Sequence, residues 1–141
     1  MTTNNHPIQL NNVFFTRSVI ISIPEHKPND EVRARPGAEN KITLNAIEGE
    51  SGRYQVTMHT TLNLQGDPAE PYMIDMECIG VFTVDETVPA DEIPRAVTIT
   101  AHSVLYGAIR EAIAWITGRQ AFGQLMLGLS VLHTEKAETT K

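Results

Sequence analysis

The side chains in this chain that could carry chemistry are scattered imidazoles, one close pair of carboxylates and one thiol. The five histidines stand at 6, 26, 59, 102 and 133. No two have the HxxxH-type spacing that puts both imidazoles on one helix face, so no metal centre is expected. His102 falls in the helical half and reads as a satisfied buried or interface histidine rather than a catalytic base. Asp75 and Glu77 lie two apart in a strand pattern, so they share a face. Such a pair could do acid–base work, but the plainer reading is a solvated face or a docking patch for a basic partner. Cys78 is the single cysteine. It can form neither an internal disulfide nor a cysteine zinc cluster, and its apolar surroundings predict a core thiol rather than a nucleophile. GxSxG, P-loop and GxGxxG motifs are all missing from the sequence. No enzymatic activity, metal or cofactor is expected.

The bulk properties narrow the class further. A chain of 141 residues fits one domain, and 41% hydrophobic content fits a folded one. The formal charge is −6, which repels phosphates and anionic lipid, so no nucleic acid is expected as a partner. The N-terminal MTTNNHPIQLNN has no basic region followed by an apolar run, which predicts no secretory signal. Arg110 and Glu111 interrupt the longest apolar stretch, so stable membrane insertion is not expected. The expected compartment is the reducing cytoplasm.

The elements that must position any site divide into strands, then a helix. Residues 13–23 alternate, with Val13, Phe15, Val19, Ile21 and Ile23 on one face. Residues 41–47 place Ile42, Leu44 and Ala46 together. Residues 53–64 place Tyr54, Val56, Met58, Leu62 and Leu64 together, interrupted only by Thr60. Residues 72–84 place Tyr72, Ile74, Met76, Cys78, Phe82 and Val84 together, with Gly80 predicting a bulge or a close approach. One buried and one wet face imply an antiparallel sheet. Turns at 48–52 and 65–71 join the last three strands as a meander. The polar, proline-bearing link 24–40 is too long for a hairpin and is expected to cross the sheet edge.

Pro89 and Pro94 punctuate the approach to a helix, with Thr98 or Thr100 as the expected cap. Leu105, Ile109, Ala112 and Ile116 form a stripe, yet Val104, Ala108, Ile113 and Trp115 fall outside it. A helix apolar on most sides must be covered on most sides. The expectation is a single α+β domain over 1–141: a four-stranded antiparallel sheet, a long crossover after strand one, then a long helix packed in an oligomer. The alternative cover is the glycine-punctuated segment after Gly118, read as extended rather than helical. Residues 133–141 are polar and expected to be a disordered tail.

The run L-Y-G-A-I-R-E-A-I-A-W-I-T-G-R-Q-A-F-G-Q-L-M-L at 105–127 resembles the SecB protein-export chaperones, whose helix carries an Arg-Glu pair and exits through an arginine and F-x-Q-L-x-L. F-F-T-R-S-V-I-I-S-I-P at 14–24 and G-V-F-T-V at 80–84 look like that family's first strand and the end of its fourth. The resemblance covers roughly residues 8–132. It implies an ATP-independent holdase for unfolded polypeptides, preproteins for export among them, built as a homotetramer (a dimer of dimers) with helices between two sheets. It also implies a peptide groove floored by Ile42, Leu44 and Ala46 and walled by Leu129, Val131 and Leu132. Leu105, Ile109, Ile113, Trp115 and Ile116 would form the oligomer interface, and Asp75 a docking point for SecA. The chain departs from the pattern in three places. It turns polar after Leu132, where the family has a second helix. The crossover 24–40 has no aromatic. Ser18 and Ser22 stand at first-strand positions that are typically acidic. A SecB-like chaperone dedicated to another client, such as an antitoxin, would fit these departures. Other readings are an assembly protein with one dedicated partner, and a hot-dog-type thioesterase or ligand-binding protein. In a hot-dog fold the helix precedes the strands that wrap it.

Overall fold

A computed structural model of the chain describes residues 1–28 and 37–133. Strands β1 (Ile8–Ser22), β2 (Glu39–Ala46), β3 (Arg53–Leu62) and β4 (Tyr72–Val84) precede one helix, α1 (Ile93–Thr117). The sheet is antiparallel with order β1-β4-β3-β2. The last three strands form the expected meander, and β1 lies beside β4 at the far edge. The helix follows every strand, which is not the hot-dog order. Residues 29–36 of the crossover and all but the first residue of the predicted tail lie outside the described residues. Among the described residues, no helix is long and apolar enough to cross a membrane.

Alternation builds the core. In β3 and β4 the even-numbered residues face α1: Val56, Met58, Ile74, Met76, Cys78 and Phe82 are fully buried. Burial pushes the Cys78 thiol up to about 11, which makes it an inert core group. Leu64, assigned to this row by alternation, is instead exposed, because Asn63 takes a left-handed φ of 52° and ends the pattern. Gly80 marks a close approach and not a bulge: a Cβ there would meet the Phe82 ring at 2.7 Å and Leu105 at 3.0 Å.

The bulges lie in β1, where the register slips between Leu10 and Asn12 and again between Phe15 and Arg17. Each adds one residue and flips the faces. Val13 and Phe15 oppose Gly80 and Cys78 on the helix side, whereas Val19 and Ile21 oppose Asp75 and Met73 on the outer side. A single alternating face through 13–23 is therefore corrected. The extra residues are polar and reach across to β4: Thr16 donates to the Glu77 carboxylate at 2.6 Å, and Asn11 accepts from Thr83 at 2.6 Å.

The helix begins before the expected cap. Glu92 is the N-cap without a side-chain bond, proline occupies the first turn, and Thr98 donates back to the Pro94 carbonyl at 2.7 Å inside the helix. With so weak a local start signal, tertiary packing sets the boundary. Val97, Ala101, Leu105, Ile109 and Ile113 repeat every four residues and are completely buried against the protomer's own sheet. Each large side chain so buried contributes about 1.5–3 kcal/mol. Leu105, Ile109 and Ile113 are thus core, which corrects their assignment to an oligomer interface. Trp115 remains 65% exposed and Ile116 half-buried.

Candidate functional site

The polar residues that interrupt the helix have a use. After Gly118 the chain turns at Gly123, whose φ of 81° suits glycine, and runs back along α1 as an extended strap. Four helix side chains hold it. Thr117 accepts from the Leu125 N–H at 2.8 Å, and Arg110 Nε donates to the Leu127 carbonyl at 2.9 Å. Tyr106 donates to the Gly128 carbonyl at 2.6 Å, and His102 Nε2 meets the Ser130 hydroxyl at 3.1 Å. Burial holds the His102 pKa below its ordinary value, which favours the neutral ring. The strap's origin is fixed by Tyr72, which donates to the Gly123 carbonyl at 2.6 Å, and by Phe122, set edge-on against Tyr72 and His26. The strap therefore supplies part of the helix's cover from within the chain.

Strap side chains change direction at Gly128. Leu127 is 1% exposed, whereas Leu129 is 86% and Val131 75% exposed. Leu132 is half-buried. Opposite the strap, Asn40, Ile42 and Leu44 occupy the helix-facing row of β2, paired with Thr60, Met58 and Val56. Ile42 and Leu44 are half-buried against the core, while Ala46 is exposed at the far end of the strand. Six residue steps take β2 from Asn40 to Ala46, or about 20 Å of strand. A cavity of about 270 Å³ lies between the two walls, lined by Gly37, Ala38 and Asn40 on one side and Gly128, Leu129 and Ser130 on the other, with Tyr106 between them. The structure thus joins Leu129 to the head of the β2 row; Val131 and Leu132 do not line this cavity. Among the described residues its lining carries no charged side chain, so it suits uncharged, partly apolar matter.

Asp75 lies on the other face of the sheet, away from this groove. Its carboxylate accepts from His59 Nε2 at 2.6 Å and from Arg17 at 3.4 Å. The His59 hydrogen bond, then Arg17, hold its pKa below the usual carboxylate value. Glu77, the other half of the suspected acid–base pair, is engaged by Thr16. The two carboxylates therefore sit on one face, as their spacing requires, but each has its own partner.

A third surface lies between β1 and α1. Phe15, Ala108, Ala112, Trp115 and Ile116 surround a shallow apolar depression of about 410 Å³, with Glu111 at its rim. Leu10 and Val13, 44% and 38% exposed, face the same side from β1, one of the sheet's two edge strands.

Sequence reasoning missed Asn40, Tyr106, Arg110 and Thr117 as parts of this architecture. A signal was present: polar atoms recur at 102, 106, 110 and 117, in steps of four and seven, along a helix otherwise apolar.

A family model described as preprotein translocase subunit SecB matches residues 2–130. The protein-export protein SecB of Anaplasma marginale (strain Florida) is 30% identical over 89 residues, covering 61% of this chain and 51% of that protein. Its counterpart from Anaplasma phagocytophilum (strain HZ) is 29% identical over 76 residues, covering 52% and 48%. The chain spans about half the length of the curated relatives it matches. Among solved structures, a Mycobacterium tuberculosis SecB-like chaperone in complex with a peptide from an antitoxin superposes with a TM-score of 0.66 at 22% identity, covering 88% of this chain and 91% of that one.

Proposed function

The chain belongs to the SecB family, whose members are chaperones and not enzymes, and we propose that it is an ATP-independent holdase that keeps non-native polypeptides, preproteins for export among them, from aggregating. The observation that carries this reading is the exposed apolar pair Leu129 and Val131, 86% and 75% exposed, with Leu129 on the wall of a cavity whose other wall is the head of β2, where the half-buried Ile42 and Leu44 continue the row. Exposed apolar side chains beside a groove favour an extended, unfolded client, whose own apolar groups gain about 25 cal/mol for each Å² removed from water. Folded proteins hide such segments. Several weak contacts along one chain then reinforce each other through effective concentration. In this reading Ala46, Val131 and Leu132 extend the groove beyond the cavity, and the cytoplasm is the compartment where such clients are met.

Trp115 and Ile116, with the apolar depression beside Phe15, form the contact between copies in a homotetramer. An exposed tryptophan against small helix residues suits a second apolar surface.

Docking of SecA through Asp75 is the weaker half of the export reading. The carboxylate already has two intramolecular partners, so a basic partner would have to displace Arg17 or His59. This observation favours a second reading, a SecB-like chaperone serving one client such as an antitoxin. The test is to add the purified protein in stoichiometric amounts to several unrelated unfolding proteins and follow light scattering. The holdase reading expects suppression for most of them. Suppression of a single partner supports the dedicated chaperone, and suppression of none overturns both.

A further inference from the structure

We infer that Tyr106 is a positioning residue that sets the register of the strap, and so decides which apolar side chains the groove presents. Thr60 is the one polar interruption in the buried row of β3 and is fully buried. Its hydroxyl donates to Asn40 Oδ1 at 2.6 Å, across the Asn40–Thr60 pair of β2 and β3. That bond engages the oxygen of the Asn40 amide, leaving its nitrogen end for other contacts. Asn40 and Tyr106 line the same cavity. Tyr106 then donates its own proton to the Gly128 carbonyl at 2.6 Å. Its ring stacks on His102, with centroids 5.9 Å apart and planes within 10°, and His102 meets Ser130.

Two polar contacts, Thr60–Asn40 within the sheet and Tyr106–Gly128 between helix and strap, therefore meet at one cavity and hold its two walls. The end point of the second contact matters. Gly128 is where the strap changes from the buried Leu127 to the exposed Leu129 and Val131. A slip of one residue would exchange inward and outward side chains, as it does in a strand. A hydrogen bond at this carbonyl selects the register that leaves Leu129 outward.

The consequence for client binding rests on the holdase reading; the register claim does not. The experiment compares wild type, Tyr106→Phe and Asn40→Ala. Tyr106→Phe keeps the ring and its stacking and removes only the donor. Hydrogen exchange is followed at amides 125–131 and across β3 and β4, and affinity is measured with a fluorescently labelled, reduced and alkylated lactalbumin. In Tyr106→Phe, strap exchange should rise about tenfold with β3 and β4 unchanged, and client affinity should fall about fivefold, the scale of one net hydrogen bond. Asn40→Ala should move both readouts the same way. Unchanged strap exchange in both variants overturns the inference. Faster exchange with unchanged affinity overturns its link to binding. A wild type that fails to bind lactalbumin counts against the holdase reading alone, and the exchange data still decide the register.

Discussion

His59 Nε2 lies 2.6 Å from the Asp75 carboxylate, joining β3 to β4 on the sheet face that looks away from the helix. Arg17 reaches the same carboxylate from β1 at 3.4 Å, just past the bulge at Thr16. Three strands thus converge on one acidic group. A position that resembles a docking point in sequence is here part of the sheet's own clasp.

Asp75 should make stability depend on pH in the acid range. Its folded pKa lies below the ordinary 3.8, chiefly through His59 and then Arg17. Its contribution is present above that ordinary value and is lost as pH falls through the depressed one. Asp75→Asn should therefore lower the melting temperature at pH 7 by at most a few degrees, because the clasp is partly exposed. The difference from wild type should shrink on acidification and disappear once pH drops below the folded pKa. Melting curves from pH 7 to pH 2 check this; a constant difference throughout would mean that the charge is not what stabilises.

Replacing Gly80 with Ala tests the packing of α1 on β4. The added Cβ would sit 2.7 Å from the buried Phe82 ring and 3.0 Å from Leu105. Neither side chain has free space, so the variant should lose about 1–3 kcal/mol. Denaturant unfolding should report a lower midpoint with an unchanged m-value. Gly128→Ala, where nothing lies within 4 Å of the new Cβ, is the control and should unfold like wild type.

Most of the sheet was legible because β3 and β4 alternate with only Thr60 and Gly80 breaking their apolar rows, and alternation is a local signal. β1 was misread for a physical reason. A bulge changes the period by one residue without changing residue types, and polar Thr16 looks like an ordinary outward position. The helix start was displaced because Glu92 makes no side-chain cap and Thr98 resembles one. The shared face of Ile42 and Leu44 on β2 was legible from the period. The strap was only half legible: its extended form followed from the glycines, but the hydrogen bonds from Tyr106 and Arg110 join residues 22 and 17 apart, beyond any local pattern.

The two kinds of helix residue should separate cleanly. Leu105→Ala removes a fully buried side chain and should cost about 2–5 kcal/mol in unfolding free energy. Trp115→Glu changes a residue that is 65% exposed and should leave protomer folding intact. If copies meet at the Phe15–Trp115 depression, Trp115→Glu should reduce the mass measured by light scattering to that of a smaller species. An unchanged mass would place the contact elsewhere.

The groove walls make the last prediction, and the structure changes which substitution tests it. Leu44→Asp would be the natural choice if β2 were fully exposed. Leu44 is half-buried opposite Val56, which is 0% exposed, and it packs on the core. An aspartate there would place a charge against apolar side chains, so lost client binding would be confounded with lost stability. Leu129 has no such second role. It is 86% exposed, and the strap is held by the backbone carbonyls of Leu127 and Gly128 rather than by its side chain. Leu129→Ser should therefore leave the melting temperature within about 1 °C of wild type, as for most exposed positions. It should weaken binding of an unfolded client about fivefold to tenfold, the scale of one apolar side chain partly buried on binding. Fluorescence titration with the labelled lactalbumin reads the second effect and calorimetry the first. Equal affinity for wild type and variant would remove Leu129 from the binding surface.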